Sequence, residues 1–114
     1  MTHRKELLVG LLDDALMAYE IEVNEISPQR QLQINKIKRL CVSVQHDDML
    51  VTFVERLVAE IDVQRYGILW FSRSESRLAS ILSSCLRCYK DTLKHLYEEL
   101  EERMQQELTL GRKL

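Results

Sequence analysis

Hydrophobic residues recur at helical spacing along most of this chain. The first such segment predicts a helix over residues 5–24, and its apolar positions cover more than half of the helix circumference. Met17 and Ile21 are among the residues that widen this apolar surface. A helix with so much apolar surface needs cover from more than one side, either from neighbouring helices or from a partner chain. We therefore take Met17 and Ile21 as candidate interface residues.

The next two segments also have helical periodicity, with start signals in front of them. Ser27 followed by Pro28 is typical of an N-cap and a first helical turn, and it predicts a second helix over residues 28–45. A short polar turn, His46-Asp47-Asp48, then offers a cap for a third helix over residues 48–66.

The last helix is predicted to be much longer than the others. Ser72-Arg73-Ser74-Glu75 matches the S-x-x-E capping box, so the helix is expected over residues 73–108. Its length would be about 50 Å at about 1.5 Å per residue. Helices one to three are too short to cover it all, and we expect its C-terminal part to project. A single apolar stripe runs along it: Leu78, Ile81, Leu82, Cys85, Leu86, Tyr89, Leu93, Leu96, Leu100, Met104 and Leu108.

The composition agrees with an all-helical fold. The chain has 114 residues, of which 46% are hydrophobic and 30% charged, with only three Gly and one Pro. Few turn-forming residues beside many helix-favouring residues indicate an all-α protein. We expect one helical domain over residues 1–114, a four-helix bundle-like fold with a long C-terminal helix.

The sequence also bears on the compartment. No apolar run reaches the roughly 18 residues of a membrane span, and residues 1–6 do not lead into a signal sequence. The three cysteines, Cys41, Cys85 and Cys88, form an odd and sparse set that favours reduced thiols. We therefore expect an intracellular protein, nuclear or cytoplasmic, without membrane contact.

The segment between the third and fourth helices is apolar instead of polar. Ile68, Leu69, Trp70 and Phe71 follow one another without a break. One interpretation is that they fold back over the core. The other is that they form a docking surface for another subunit, because Trp and Phe are favoured interface anchors.

Cys85-x-x-Cys88 is the motif that most suggests chemistry. A thioredoxin-type pair lies at the start of a helix after a strand, whereas this pair falls within a helix. A zinc site needs about four Cys or His ligands. The other candidates are not at ligand spacing: Cys41, His3, His46 and His95. Small buried thiols are the better interpretation, and no metal or cofactor is expected.

Catalysis has no sequence signal either. His95 lacks the glycine and the residue pattern of phosphotransfer histidines, and the chain has no Gly-rich phosphate loop and no G-x-S-x-G motif. We therefore expect a protein that is not an enzyme.

The last helix carries a basic face opposite its apolar stripe. Arg73, Arg77, Arg87 and Lys94 lie within about 100° of one another at about 100° per residue. The net charge is −2, so no global positive field recruits nucleic acid. These residues could be a solvated face, or they could contact DNA phosphates or an acidic partner. From Glu98 the same side becomes acidic.

The last helix carries a run of matching positions at Arg77-Leu78, Ile81-Leu82, Ser84, Leu86, Arg87 and Cys88. These residues resemble the long helix of the Sld-five-type subunit of the GINS complex, the heterotetramer of the eukaryotic replicative helicase. That helix reads roughly E-R-h-x-x-h-h-x-S-Y-h-R-C-R, where h is apolar. The departures are Ser76, Cys85 and Tyr89. Upstream, Ala18-Tyr19, Glu22 and Pro28 resemble the family's A-W-x-N-E…P opening, without its Asn and with two extra residues before the proline.

The resemblance implies a scaffold without enzymatic activity. Its helices would pack against sister GINS-like subunits, and the whole assembly would bridge the Mcm ring and its other activating partner in DNA replication. Arg77, Arg87 and Cys88 would belong to the structural core of the long helix. Members of the family also carry a small β-rich domain, for which this chain has no strand-like segment. The chain would then be either the helical domain alone or a reduced relative.

The residues therefore predict a non-enzymatic interaction subunit of a heteromeric complex, with DNA replication as its named setting and a homodimer as another form of assembly. The alternative is a stand-alone helical regulator that binds nucleic acid through the basic face of the last helix.

Overall fold

The protein is all-α, as predicted. The computed structural model describes the backbone of residues 3–67 and 73–112 and the side chains of residues 4–63 and 77–111. The described backbone contains no strand, and none of its helices has an apolar stretch long enough to cross a bilayer. The helices are α1 (His3–Glu22), α2 (Pro28–Ser43), α3 (Asp47–Gly67) and α4 (Arg73–Arg112).

The limits of α2 follow from its flanking residues. The Ser27 hydroxyl accepts a hydrogen bond from the backbone N–H of Arg30 at 3.3 Å, and Pro28 occupies the first turn. This is the predicted N-cap. The helix ends at Ser43, two residues before the predicted end, because Val44 is extended at φ −78° and ψ 137°. Val44 still donates its N–H to the carbonyl of Leu40.

α4 is the helix around which the bundle is built. It packs most extensively against α1 and α3, while α2 makes fewer contacts. Arg77 contacts Glu22 near the start of α4, and Leu7 lines a groove with Leu93 further along, so α1 and α4 are antiparallel. All four helices contribute to one core: Leu8, Leu12, Leu16, Tyr19, Ile34, Ile37, Cys41, Val44, Leu50, Val54, Leu57, Ile61, Leu78, Ala79, Leu82, Cys85, Leu86 and Tyr89.

The second half of α4 extends beyond this bundle. Tyr89 is the last buried residue of the helix, Leu93 is partly buried, and every residue from Lys94 to Gly111 is exposed. We call residues 93–112 the α4 tail. The molecule accordingly measures 68 × 27 × 22 Å. The helix ends at Arg112, four residues beyond the predicted end, and the expected projection is present.

A partly buried polar cluster joins three helices where the tail leaves the bundle. Asp47, only 6% exposed, accepts a hydrogen bond from the hydroxyl of buried Tyr89. Arg4 Nη2 lies 3.1 Å from Asp47 Oδ2. The carboxylate also lies in the first turn of α3, where the helix dipole favours negative charge. Asp47, predicted to lie in a polar turn that offers a cap for the third helix, therefore also connects α1, α3 and α4.

The core assignment can be tested on one buried and one exposed position of α4, five residues apart. Leu82 is fully buried, so Leu82→Asp should lower the free energy of unfolding by more than about 4 kcal/mol, because it buries an unpaired charge. Arg87 is exposed, and Arg87→Ala should change the free energy of unfolding by less than about 0.5 kcal/mol. Urea denaturation followed by circular dichroism measures both changes. A larger loss of stability for Arg87→Ala than for Leu82→Asp would show that the helix face is misassigned.

The polar cluster predicts a difference between two tyrosines of the same helix. Tyr89→Phe removes the hydroxyl that donates to buried Asp47, so we expect a loss of about 1–3 kcal/mol of stability. Tyr97 is 55% exposed, and Tyr97→Phe is the matched control with no expected effect. Equal unfolding midpoints for the two variants would contradict a stabilising role of the Tyr89–Asp47 hydrogen bond.

Candidate partner-binding surface on the last helix

The α4 tail carries an exposed apolar stripe. We define the tail stripe as Leu93, Leu96, Leu100, Met104 and Leu108, which fall within about 120° of one another at about 100° per residue. Leu96 and Leu100 are 46% and 45% exposed, and Met104 and Leu108 are both 63% exposed. The stripe continues the face that α4 buries inside the bundle. The same face therefore changes from core to surface near Leu93.

A groove lies where the tail stripe meets the start of α1. Arg4 and Leu7 form its α1 side, and its volume is about 380 Å³. On α4 it is lined by Leu93, Leu96, Tyr97, Glu99, Leu100 and Arg103. Most of this lining is apolar, and the groove is open on one side. It can therefore receive apolar side chains from another helix.

Carboxylates dominate the charge of the tail. Residues 94–107 include five Glu but only one Lys and one Arg. Four of these carboxylates occupy residues 98–102. Glu98 and Glu102 are an i,i+4 pair of like charge, which destabilises a helix. His95 Nδ1 lies 3.8 Å from Glu98 Oε2, a contact that carries charge only when the histidine is protonated.

The predicted interface residues of α1 form a second, separate exposed pair. Met17 is 60% exposed and Ile21 is 74% exposed, one helical turn apart. They lie towards the end of α1, which meets the start of α4, whereas the groove lies at the opposite end of α1. The other predicted interface residues, Ile68, Leu69, Trp70 and Phe71, lie outside the described residues.

Among the described residues of the predicted basic face, Arg77 forms an ion pair. Arg77 Nε lies 3.0 Å from Glu22 Oε2, and this hydrogen bond raises the pKa of the Arg77 guanidinium. Arg87 and Lys94 are exposed, and the side chain of Arg73 lies outside the described residues. Lys90, which the sequence did not single out, is 2.8 Å from Glu55.

The thiols divide into two kinds. Cys41 and Cys85 are each 7% exposed, and burial raises the pKa of Cys85 to about 11. Burial also raises the pKa of Cys41. The prediction of a buried thiol is wrong for Cys88, which is exposed because it lies about 60° further round α4 from the core than Cys85. Within the described residues, no three His, Cys, Asp or Glu side chains are grouped as metal ligands.

The difference in burial predicts thiol reactivity. At neutral pH a disulfide reagent such as DTNB should modify Cys88 rapidly, because Cys41 and Cys85 are shielded in the fold. Cys88→Ser should remove the fast phase, whereas Cys85→Ser, the matched control, should keep it. Rapid reaction of all three thiols in the folded protein would contradict the burial of Cys41 and Cys85.

No family model, no curated protein and no solved structure significantly matches this chain. The resemblance of α4 to a GINS subunit therefore stays a prediction from the sequence.

Proposed function

We propose that this protein is a non-enzymatic interaction subunit of a heteromeric complex and binds its partner through the tail stripe. The observation that supports this most is the exposure of Leu96, Leu100, Met104 and Leu108 on one face of a helix that extends beyond its own bundle. An apolar face at helical spacing is the surface that a partner helix or groove recognises.

The stability of the tail supports the same proposal. Most helical stability in proteins comes from packing of an apolar face and not from the intrinsic helix propensity of the residues. The tail stripe has no such packing partner in the described part of the chain beyond Leu7 and the groove at its base. Burying a large aliphatic side chain contributes up to about 1.5–3 kcal/mol. A partner that covers the tail stripe would therefore stabilise both the tail and the complex.

The dimensions of the tail suit a stable interface. Its twenty residues extend for about 30 Å at about 1.5 Å per residue. Stable interfaces bury about 800 Å² per partner. Met17 and Ile21 offer a second apolar contact at the other end of the bundle. A subunit of a larger assembly would use the tail stripe for one partner and the pair Met17 and Ile21 for another.

We further propose that the complex is GINS-like and acts in DNA replication, with sister subunits as partners. The support is the sequence resemblance of α4, together with the all-helical fold expected of the helical domain alone. Arg77, Arg87 and Cys88, which the resemblance places in the structural core of the long helix, are exposed in this chain. Sister subunits would have to cover them.

Nucleic-acid binding through the basic face stays the alternative prediction. Arg77 forms an ion pair with Glu22, and the tail that follows Lys94 is acidic. Neither observation supports binding of the basic face to nucleic-acid phosphates. We therefore give the protein-binding role precedence.

The test uses variants that keep the fold. Leu96→Asn with Leu100→Asn makes the middle of the tail stripe polar, and Val42→Asn, at an 85% exposed position on α2, is the matched control. Partners captured from cells that make the protein would be identified by mass spectrometry, purified, and titrated against each variant by calorimetry. The double variant should lose at least about ten-fold in affinity, because central apolar anchors dominate helix interfaces.

The control should bind like the unchanged protein, and circular dichroism should show equal helix content for all three. Full affinity of the double variant would contradict the proposed use of the tail stripe. The identity of the captured partner separates a GINS-like complex from other assemblies.

A further inference from the structure

We infer that the tail stripe receives an amphipathic helix of a different polypeptide, whose apolar face is bordered by Lys and Arg. The inference rests on the proposed function and names the chemistry of the partner. It depends on the exposed stripe, on the groove at its base and on the charges beside both.

The charges beside the stripe select a basic partner. At about 100° per residue, Glu101 lies at one border of the stripe, and Glu107 lies within it, between the directions of Leu96 and Leu100. Glu98 and Glu99 lie further round the helix, one on each side of the stripe. Lys94 and Arg103 also lie beside the stripe, but residues 98–102 contain four carboxylates and no cation. Within the described side chains, only His95 contacts this acidic group, with Nδ1 at 3.8 Å from Glu98 Oε2. A partner with Lys or Arg opposite the middle of the tail complements this charge.

The same charges disfavour a second copy of this chain. If two tails paired in parallel, the acidic residues 98–102 of both copies would lie side by side. If they paired antiparallel around Leu100, these residues would lie opposite one another. Moving the crossing point to Leu108 separates the carboxylates but leaves most of the tail stripe uncovered. Self-association therefore loses either charge complementarity or apolar contact.

The groove does not repel a basic helix. Its α1 cation, Arg4, lies 3.1 Å from Asp47 and 3.4 Å from Asp48, so its charge is already compensated. Its other cation, Arg103, is an i,i+4 neighbour of Glu99 on the same side of the helix. The apolar end of the partner helix can enter between Leu7 and the tail while its cations remain near the carboxylates further along.

The mutual repulsion of the carboxylates strengthens the argument. Glu98 has like-charged neighbours at i+3, Glu101, and at i+4, Glu102, and such pairs destabilise a helix. Cations from a partner offset this repulsion. An acidic partner would add to it.

The test uses two synthetic helical peptides that differ only in their border charges. Both are three heptads long with Leu on one face, and the border positions carry Lys in one and Glu in the other. Binding to the full chain is followed by fluorescence anisotropy at low and high salt. The Lys peptide should bind at least about ten-fold more tightly at low salt, because several exposed ion pairs each contribute a few-fold, and the preference should shrink at high salt.

Charge reversal on the protein supplies the decisive control. Glu98→Lys with Glu101→Lys should invert the preference towards the Glu peptide, whereas Glu25→Lys, an exposed acidic position between α1 and α2 and away from the groove, should leave it unchanged. Leu96→Asn with Leu100→Asn should weaken binding of both peptides. Equal affinity of the two peptides, or a preference for the Glu peptide, would overturn the inference. So would a dimer of the chain alone, seen by light scattering and dissolved by Leu100→Asn.

These outcomes are distinct from failure of the proposed function. If the partner proves to be an acidic or neutral helix that still needs Leu96 and Leu100, the interaction role stands and the basic partner is rejected. If the purified natural partner binds independently of the tail stripe, the proposed function fails as well.

Discussion

The whole structure depends on a mismatch of length. α4 has 40 residues, while α1, α2 and α3 have 20, 16 and 21, yet the apolar stripe of α4 continues nearly to its end. Three shorter helices can cover only the first half of that stripe. The covered half becomes the core around Leu82 and Tyr89, and the uncovered half becomes the surface around Leu100 and Met104. The core and the exposed tail stripe are thus two parts of one amphipathic face.

Much of the fold could be predicted from the sequence because helical periodicity and capping signals are local. Ser27 and Pro28 began α2 at the predicted residue, and the last helix was expected to be too long for its neighbours. The position at which the stripe becomes exposed is not local. It depends on where the start of α1 lies beside α4, so Leu96 and Leu100 could not be separated from Leu82 as candidate interface residues. Exposure of Met17 and Ile21 agrees with the excess apolar surface predicted for α1.

Buried polar groups were the least predictable part. Asp47 is followed by a second aspartate, and only its long-range neighbours Arg4 and Tyr89 distinguish the two. Arg30 is similarly 2% exposed, with Nη1 donating to Gln33 Oε1 at 2.7 Å, although its sequence context resembles a solvated helix turn. Cys88 shows the same limit in reverse, because a difference of about 60° around the helix from Cys85 moves a thiol from the edge of the core to solvent. Such positions are fixed by packing between helices and not by periodicity.

The location of the Arg4–Asp47–Tyr89 cluster has a mechanical consequence. Tyr89 lies one turn before Leu93, so the cluster anchors α4 at the point where its unsupported part begins. The contacts of this cluster with α1 and α3 therefore fix the direction in which the tail leaves the bundle. A tail whose orientation is fixed before binding loses less conformational freedom when another molecule binds along it. A residue that never touches the docked molecule can in this way influence how tightly it is held.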